Sequence, residues 1–214
     1  MKKAYVFSGL GVDKRVFDSI DFGDLEVEFV DWIKPEKKES LPQYALRISR
    51  SIHAENPVLI GLSFGGMVAA EISRIMQCSR IILIASATNI KELRALYRVA
   101  GFLKIQKLIP TALLKNRNSL ADWFFGITSK EEQFLLQGIL KDTDPVFLRW
   151  ALTAVLNWKT KEAAENVFCI HGDKDRIIPL RLVRADYVVR DGGHFMTINR
   201  SKEISSVIKD LMKG

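Results

Sequence analysis

No stretch of this chain approaches the run of about eighteen apolar residues that crosses a bilayer as a helix, which argues against a membrane span. The apolar run after Met1-Lys2-Lys3 stops at Phe7, where Ser8-Gly9 turns the chain. It is too short for the core of a signal peptide, and a cytoplasmic location is the expectation. Cysteine is scarce: Cys78 and Cys169 lie far apart with no metal-type spacing, and Cys169 sits inside the apolar run from Val167 to Ile170. Buried free thiols in a reducing compartment follow, rather than a disulfide framework or a zinc site. Basic runs are missing too. The net charge of +7 is scattered singly among acids and no nucleic-acid motif accompanies it, so it reads as a solvated basic surface and not as a nucleic-acid partner site. Low-complexity tracts and internal repeats are absent, which argues against disorder and repeat arrays.

What is present is the composition of an ordinary globular domain, 48% hydrophobic and 27% charged over 214 residues. That length suits one compact domain carrying an insertion. Short β-like runs occur at Ala4–Phe7, Leu25–Val30, the apolar residues after Asn56, Arg80–Ala85, Asn166–Ile170 and Ala185–Val189. Ser40-Leu41-Pro42-Gln43 combines a Ser cap, an early proline and a Gln three residues after the cap, predicting a helix over 41–52. His53 at its end reads as a solvent-facing helix terminus. Val68, Ile72, Ile75 and Met76 share one helical face and are expected in the core. A last helix is predicted over 201–212.

Between residues 89 and 159 the strand signals vanish. Thr128-Ser129-Lys130-Glu131 predicts a capping box, and Asp144-Pro145 a second helix start. Large apolar residues are dense here, among them Leu93, Leu96, Tyr97, Phe102, Leu103, Trp123, Phe124, Phe125, Phe134, Leu135, Phe147, Trp150 and Trp158. They predict four or five short helices with a small core of their own, some of them facing the sheet. The segment holds eleven Lys or Arg against six Asp or Glu, a basic surplus that would favour acidic substrates or anionic cofactor-linked acyl groups such as acyl-CoA.

Three glycine-bearing turns carry the chemistry. Gly61-Leu62-Ser63-Phe64-Gly65 lies between an apolar strand and a helix, the context in which G-x-S-x-G exposes a serine hydroxyl above a parallel sheet. Ser8-Gly9-Leu10-Gly11 lacks the third glycine of a dinucleotide fingerprint, because Lys14 stands in its place, and fits an oxyanion loop better. His171-Gly172-Asp173-Lys174-Asp175 and Gly192-Gly193-His194-Phe195 each follow a strand.

G-x-S-x-G, H-G-x-x-D-x-x-x-P and G-G-H-F in this order resemble the α/β-hydrolase superfamily, over almost the whole chain. The resemblance implies an α/β fold of about six mostly parallel strands flanked by helices, with a core of residues 1–88 and 160–214 and a helical cap at 89–159. It implies a serine hydrolase that cleaves a carboxylic ester or thioester through an acyl-enzyme. Ser63 would be the nucleophile, His194 the base and Asp175 the orienting acid, preferred over Asp173. The backbone N–H groups of Leu10 and Phe64 would form the oxyanion hole. His171 would position the acid loop. Neither a metal nor an organic cofactor is needed, and the partner would be a small acyl ester or thioester. Acyl transfer or carbon–carbon bond hydrolysis on the same residues, and a non-catalytic binding protein of this fold, are the alternatives. Where many relatives carry His-Gly, this chain has Ser8-Gly9. Only one or two helical turns fit between Asp175 and His194, and the family's first antiparallel strands are missing, so a compact six-stranded version is expected.

Overall fold

The computed structural model describes residues 1–102 and 119–213. Six strands form one sheet: β1 (Lys3–Phe7), β2 (Glu26–Phe29), β3 (Val58–Leu62), β4 (Arg80–Ile84), β5 (Val167–Gly172) and β6 (Tyr187–Val189). Their spatial order is β2-β1-β3-β4-β5-β6 and every neighbouring pair is parallel. Parallel neighbours need crossovers, which put apolar layers on both faces of the sheet.

Among the described residues the α-helices are α1 (Leu41–Ile48), α2 (Phe64–Ile72), α3 (Ala95–Phe102), α4 (Ser119–Phe125), α5 (Lys130–Asp142), α6 (Pro145–Leu156), α7 (Met196–Asn199) and α8 (Ser201–Lys213). Successive strand residues point to opposite faces, and the core divides accordingly. Tyr5, Phe7, Leu59 and Leu83 face α1, α2 and the apolar side of α6, whereas Val6, Ile60, Ile82 and Ile84 face α8 and Leu136 and Ile139 of α5. Between β5 and β6 only a single turn at Leu180–Leu182 intervenes, as the short spacing predicts. The exposed edge strand β2 carries Glu26 and Glu28, both within 3.1 Å of Lys3 Nζ, and such charges discourage further strand pairing.

Helix starts mostly follow the sequence signals. The Ser40 N–H donates to Gln43 Oε1 at 2.9 Å, and Asp144 Oδ1 accepts the Val146 N–H at 2.8 Å. The third cap is displaced by one residue. Ser129, not Thr128, caps α5, and Glu132 reaches back to the Thr128 N–H at 2.7 Å. Every residue of α2 is buried, so the core contacts are not confined to one face. Of the apolar stripe on the elbow helix, Val68 and Ile72 join the core and Met76 packs against it, whereas Ile75 lies beyond the end of α2 at 50% exposure. Trp123, Phe134 and Leu96 are likewise on the surface, while Phe147 and Trp158 are buried. The side chains of Phe102 and Leu103 fall outside the described residues. No helix among the described residues is long and apolar enough to cross a membrane.

Candidate active site

β3 ends at Leu62 and α2 begins at Phe64, leaving Ser63 alone to make the turn with φ 51° and ψ −116°. A non-glycine residue held there stores about 1–3 kcal/mol of strain, which the surroundings must offset. They do so through the Ser63 N–H, which donates to Ile84 O at 2.9 Å, and the Ser86 hydroxyl, which donates to Ser63 O at 2.6 Å. The flanking glycines are sterically required. A Cβ on Gly61 would run into the Gly66 backbone, and one on Gly65 into the carbonyls of Phe7 and Ser8.

His194 follows β6 in the turn that precedes α7, and Asp175 follows β5. The two loops are sewn together: the Asp173 and Lys174 N–H groups donate to Val189 O and Gly192 O at 3.2 and 2.9 Å, and Gly172 has no room for a Cβ against Gly192. His194 Nε2 is 2.8 Å from Ser63 Oγ, and its Nδ1 is 2.7 Å from Asp175 Oδ2. The other carboxylate oxygen, Oδ1, accepts the N–H groups of Ile177 and Ile178, each at 2.9 Å. Burial pushes the Asp175 carboxyl up, but the charge and hydrogen bond of His194, with lesser help from His171 and the Ile178 N–H, outweigh it and hold the group below its ordinary value. The carboxylate therefore stays ionised in a site where His194 is 4% exposed.

Asp173 is on the surface, which separates the two candidate acids. His53 is exposed, and its backbone N–H donates to the Tyr5 hydroxyl at 3.1 Å. His171 is 1% exposed, with Nε2 2.7 Å from Ile178 O and 3.4 Å from Asp175 Oδ2. Burial lowers its pKa, more than the facing carboxylate and carbonyl raise it, so this imidazole is a neutral donor that ties down the acid loop. Burial also pushes the thiols of Cys78 and Cys169 up, to about 11 and about 12, which keeps both protonated.

The loop after β1 lies against the elbow. A Cβ built on Gly9 would sit 3.5 Å from Ser63 Cβ and 3.6 Å from Leu62 O, so the next residue, Leu10, is at the same sheet edge. Phe64 opens α2, and N–H groups in a first helical turn have no acceptor within the helix. The Phe64 ring is buried in an aromatic cluster with Trp32, Phe147 and Trp150 at centroid distances of 5.3, 6.0 and 6.1 Å.

The segment between β4 and β5 reaches the loops that carry Asp175 and His194. Arg94 and the Tyr97 hydroxyl donate to the carbonyls of Arg176 and Ile177 in the acid loop, at 2.8 and 3.0 Å. Phe125 O accepts the Phe195 N–H at 3.0 Å, and the Phe125 ring lies 6.1 Å from the His194 ring. A groove of about 1140 Å³ lies on α6 beside the start of α1, lined by Leu41, Pro42, Trp150 and Ala154 among others, and none of Ser63, Asp175 or His194 lines it. Nothing in the sequence marked the contacts made by Ser86, Trp32, Arg94 and the Tyr97 hydroxyl. Each acts through a contact distant in sequence, and none belongs to a motif.

An all-parallel sheet with a strained serine elbow, a histidine and an aspartate at successive strand ends defines a class. The sequence pattern of the alpha/beta hydrolase family matches residues 4–207, and the chain belongs to that family. No curated protein matches its sequence. Solved structures share the fold. An esterase from Exiguobacterium antarcticum is 16% identical with a TM-score of 0.74, over 100% of this chain and 92% of that one. MenH from S. aureus is 16% identical with a TM-score of 0.72, over 99% and 93%. The enol-lactonase from Burkholderia xenovorans LB400 is 16% identical with a TM-score of 0.68, over 100% and 92%.

Proposed function

We propose that this protein is a serine hydrolase that cleaves a carboxylic ester or thioester through an acyl-enzyme. The observation that carries the reading is the unbroken series Ser63 Oγ, His194 Nε2, His194 Nδ1 and Asp175 Oδ2, with links of 2.8 and 2.7 Å. Family membership and neighbours described as an esterase and an enol-lactonase support the same reaction class.

In the first step Ser63 Oγ bonds to the acyl carbon while His194 Nε2 takes the hydroxyl proton. Asp175 holds Nδ1–H and stabilises the imidazolium. The carbonyl oxygen becomes an oxyanion that the Leu10 and Phe64 N–H groups receive. His194 then returns the proton to the leaving alcohol or thiol as the acyl–heteroatom bond breaks. Water, deprotonated by the same imidazole, releases the acid and restores Ser63. The helices between β4 and β5 act as a cap, and their packing on the elbow and on His194 makes them the source of acyl selectivity.

Treatment with a fluorophosphonate and mass-spectrometric mapping tests the nucleophile, with Ser63→Ala as control. An adduct on Ser63 that disappears in the variant is expected. No adduct, or one that persists in the variant, would sink the assignment. A series of p-nitrophenyl esters of increasing chain length, with a thioester counterpart, then ranks the substrates.

A further inference from the structure

We propose that Trp32 is a positioning residue for the oxyanion loop, holding Ser8, and through it the Gly9-Leu10 backbone, by its indole N–H. The inference rests on the hydrolase reading above and assigns what sets its oxyanion geometry.

The Trp32 Nε1–H donates to Ser8 Oγ at 3.0 Å. Ser8 is 7% exposed and immediately precedes the two glycines that flank Leu10, Gly9 and Gly11, the latter at φ 72°. Glycine imposes little conformational preference of its own, and within the loop only a long bond, Val12 N–H to Gly9 O at 3.4 Å, restrains it, so a donor between two glycines relies on holds from outside. On the far side the Thr143 hydroxyl lies 3.3 Å from Gly11 O. On the near side the hold is Trp32. Oxyanion stabilisation depends on donors fixed before charge develops, within a few tenths of an ångström.

Trp32 is itself immobilised. Its ring lies 5.3 Å from Phe64, stacks on Phe147 at 5.3 Å and 23°, and is 6.2 Å from both Phe7 and Tyr44. The backbone on either side is tied down as well. The Val30 N–H donates to Val6 O at 2.9 Å, and the Ile33 N–H donates to the Tyr44 hydroxyl at 3.0 Å. The indole thus meets both sides of the oxyanion site from one position: Ser8, two residues before the Leu10 donor, by hydrogen bond, and Phe64, the other donor, by ring contact.

Trp32→Phe keeps the ring stack and deletes the N–H; Ser8→Ala deletes the acceptor and leaves the cluster untouched. With p-nitrophenyl butyrate, each variant is expected to lose about tenfold in kcat, part of the ~10²–10³ that one oxyanion donor is worth, because the Leu10 N–H is displaced rather than removed. KM should stay within about twofold, since an interaction made only in the transition state leaves ground-state binding alone. The double variant should be no worse than either single. Inhibition by an aryl trifluoromethyl ketone, which forms a tetrahedral oxyanion, should weaken in step with kcat, while inhibition by butyrate should not.

Unchanged kcat in Ser8→Ala with Ser63 still labelled by fluorophosphonate would overturn the inference alone. So would penalties that multiply in the double variant, or a change confined to KM. If wild-type Ser63 takes no label, the hydrolase reading fails first and this inference falls with it.

Discussion

Asp175→Asn changes one atom in the site and tests whether the carboxylate orients His194 or merely fills space. Its side chain is wholly buried, and Oδ1 accepts two backbone N–H groups while Oδ2 faces His194 Nδ1 at 2.7 Å. An asparagine must keep its carbonyl oxygen on the two backbone donors, because flipping would set its NH2 against both. The NH2 therefore faces His194 and demands an acceptor at Nδ1. That tautomer carries its proton on Nε2, pointing at Ser63, and cannot serve as a base. A wrong tautomer in a Ser-His-Asp constellation lowers kcat about 10⁴-fold, or ~5.4 kcal/mol at 1.36 kcal/mol per decade. Steady-state kinetics on p-nitrophenyl butyrate provide the assay, with Asp173→Asn as a surface control expected to match wild type. A loss of less than about 100-fold, well short of the wrong-tautomer figure, or an equal loss in the control, would refute the reasoning. The folded carboxyl is held below its unfolded value of about 3.9. Asp175 thus stabilises the fold above that pH, and the contribution fades as pH falls through the lower folded value. The gap in stability between wild type and Asp175→Asn should change through the same acid window.

Three further outcomes are expected. His171 has a depressed folded pKa, so stability is complete above the ordinary histidine value of about 6.5 and declines as pH falls through it towards the folded value. In His171→Asn, the slope of urea stability against pH in that window should shrink by up to about 1.4 kcal/mol per pH unit, one proton's worth; an unchanged slope would contradict the neutral imidazole. Trp158→Phe strips the Nε1 donor, 2.8 Å away, from Glu71 Oε1 in a residue 4% exposed. Denaturant melts should show a loss of about 1–3 kcal/mol with kcat retained, and Glu71→Gln should recover part of it. Gly61→Ala drives a Cβ into the Gly66 backbone. It should lower the melting temperature sharply or prevent soluble expression, and wild-type stability would show that the elbow has slack.

The elbow and the turns that bring His194 and Asp175 to it were legible because tight turns restrict chemistry. Gly61 and Gly65 are obligatory beside Ser63, as is Gly172 where the Asp175 and His194 loops meet, with Gly192 packed closely against it, so each vertex carries a local signature. Preferring Asp175 over Asp173 needed the family pattern, which puts the carboxylate at the second aspartate. Other features were hidden for a common reason: periodicity shows which residues share a face, never what that face meets. The helix after Ser63 is buried on all sides, so the stripe of Val68 and Ile72 marked only part of what is core there. Trp123 and Phe134 read as core yet are 52% and 73% exposed. Trp32 offered no pattern at all. Its partners Ser8, Phe64 and Phe147 come from three separate parts of the chain, and only the folded sheet brings them together.

The parallel sheet imposes an order of events on the living chain. Ser63 and His194 are 131 residues apart, and the partner strands β4 and β5 meet only after the whole helical segment between them has emerged. Non-local pairing of this kind is slow, because loop-closure entropy is spent before the contacts that offset it form. During synthesis the elbow is complete long before β6 and the His194 turn exist. On the hydrolase reading, Ser63 then stays an unactivated alcohol in every nascent and partly folded form. Reactivity arrives last, and its recovery during refolding would time the docking of β6.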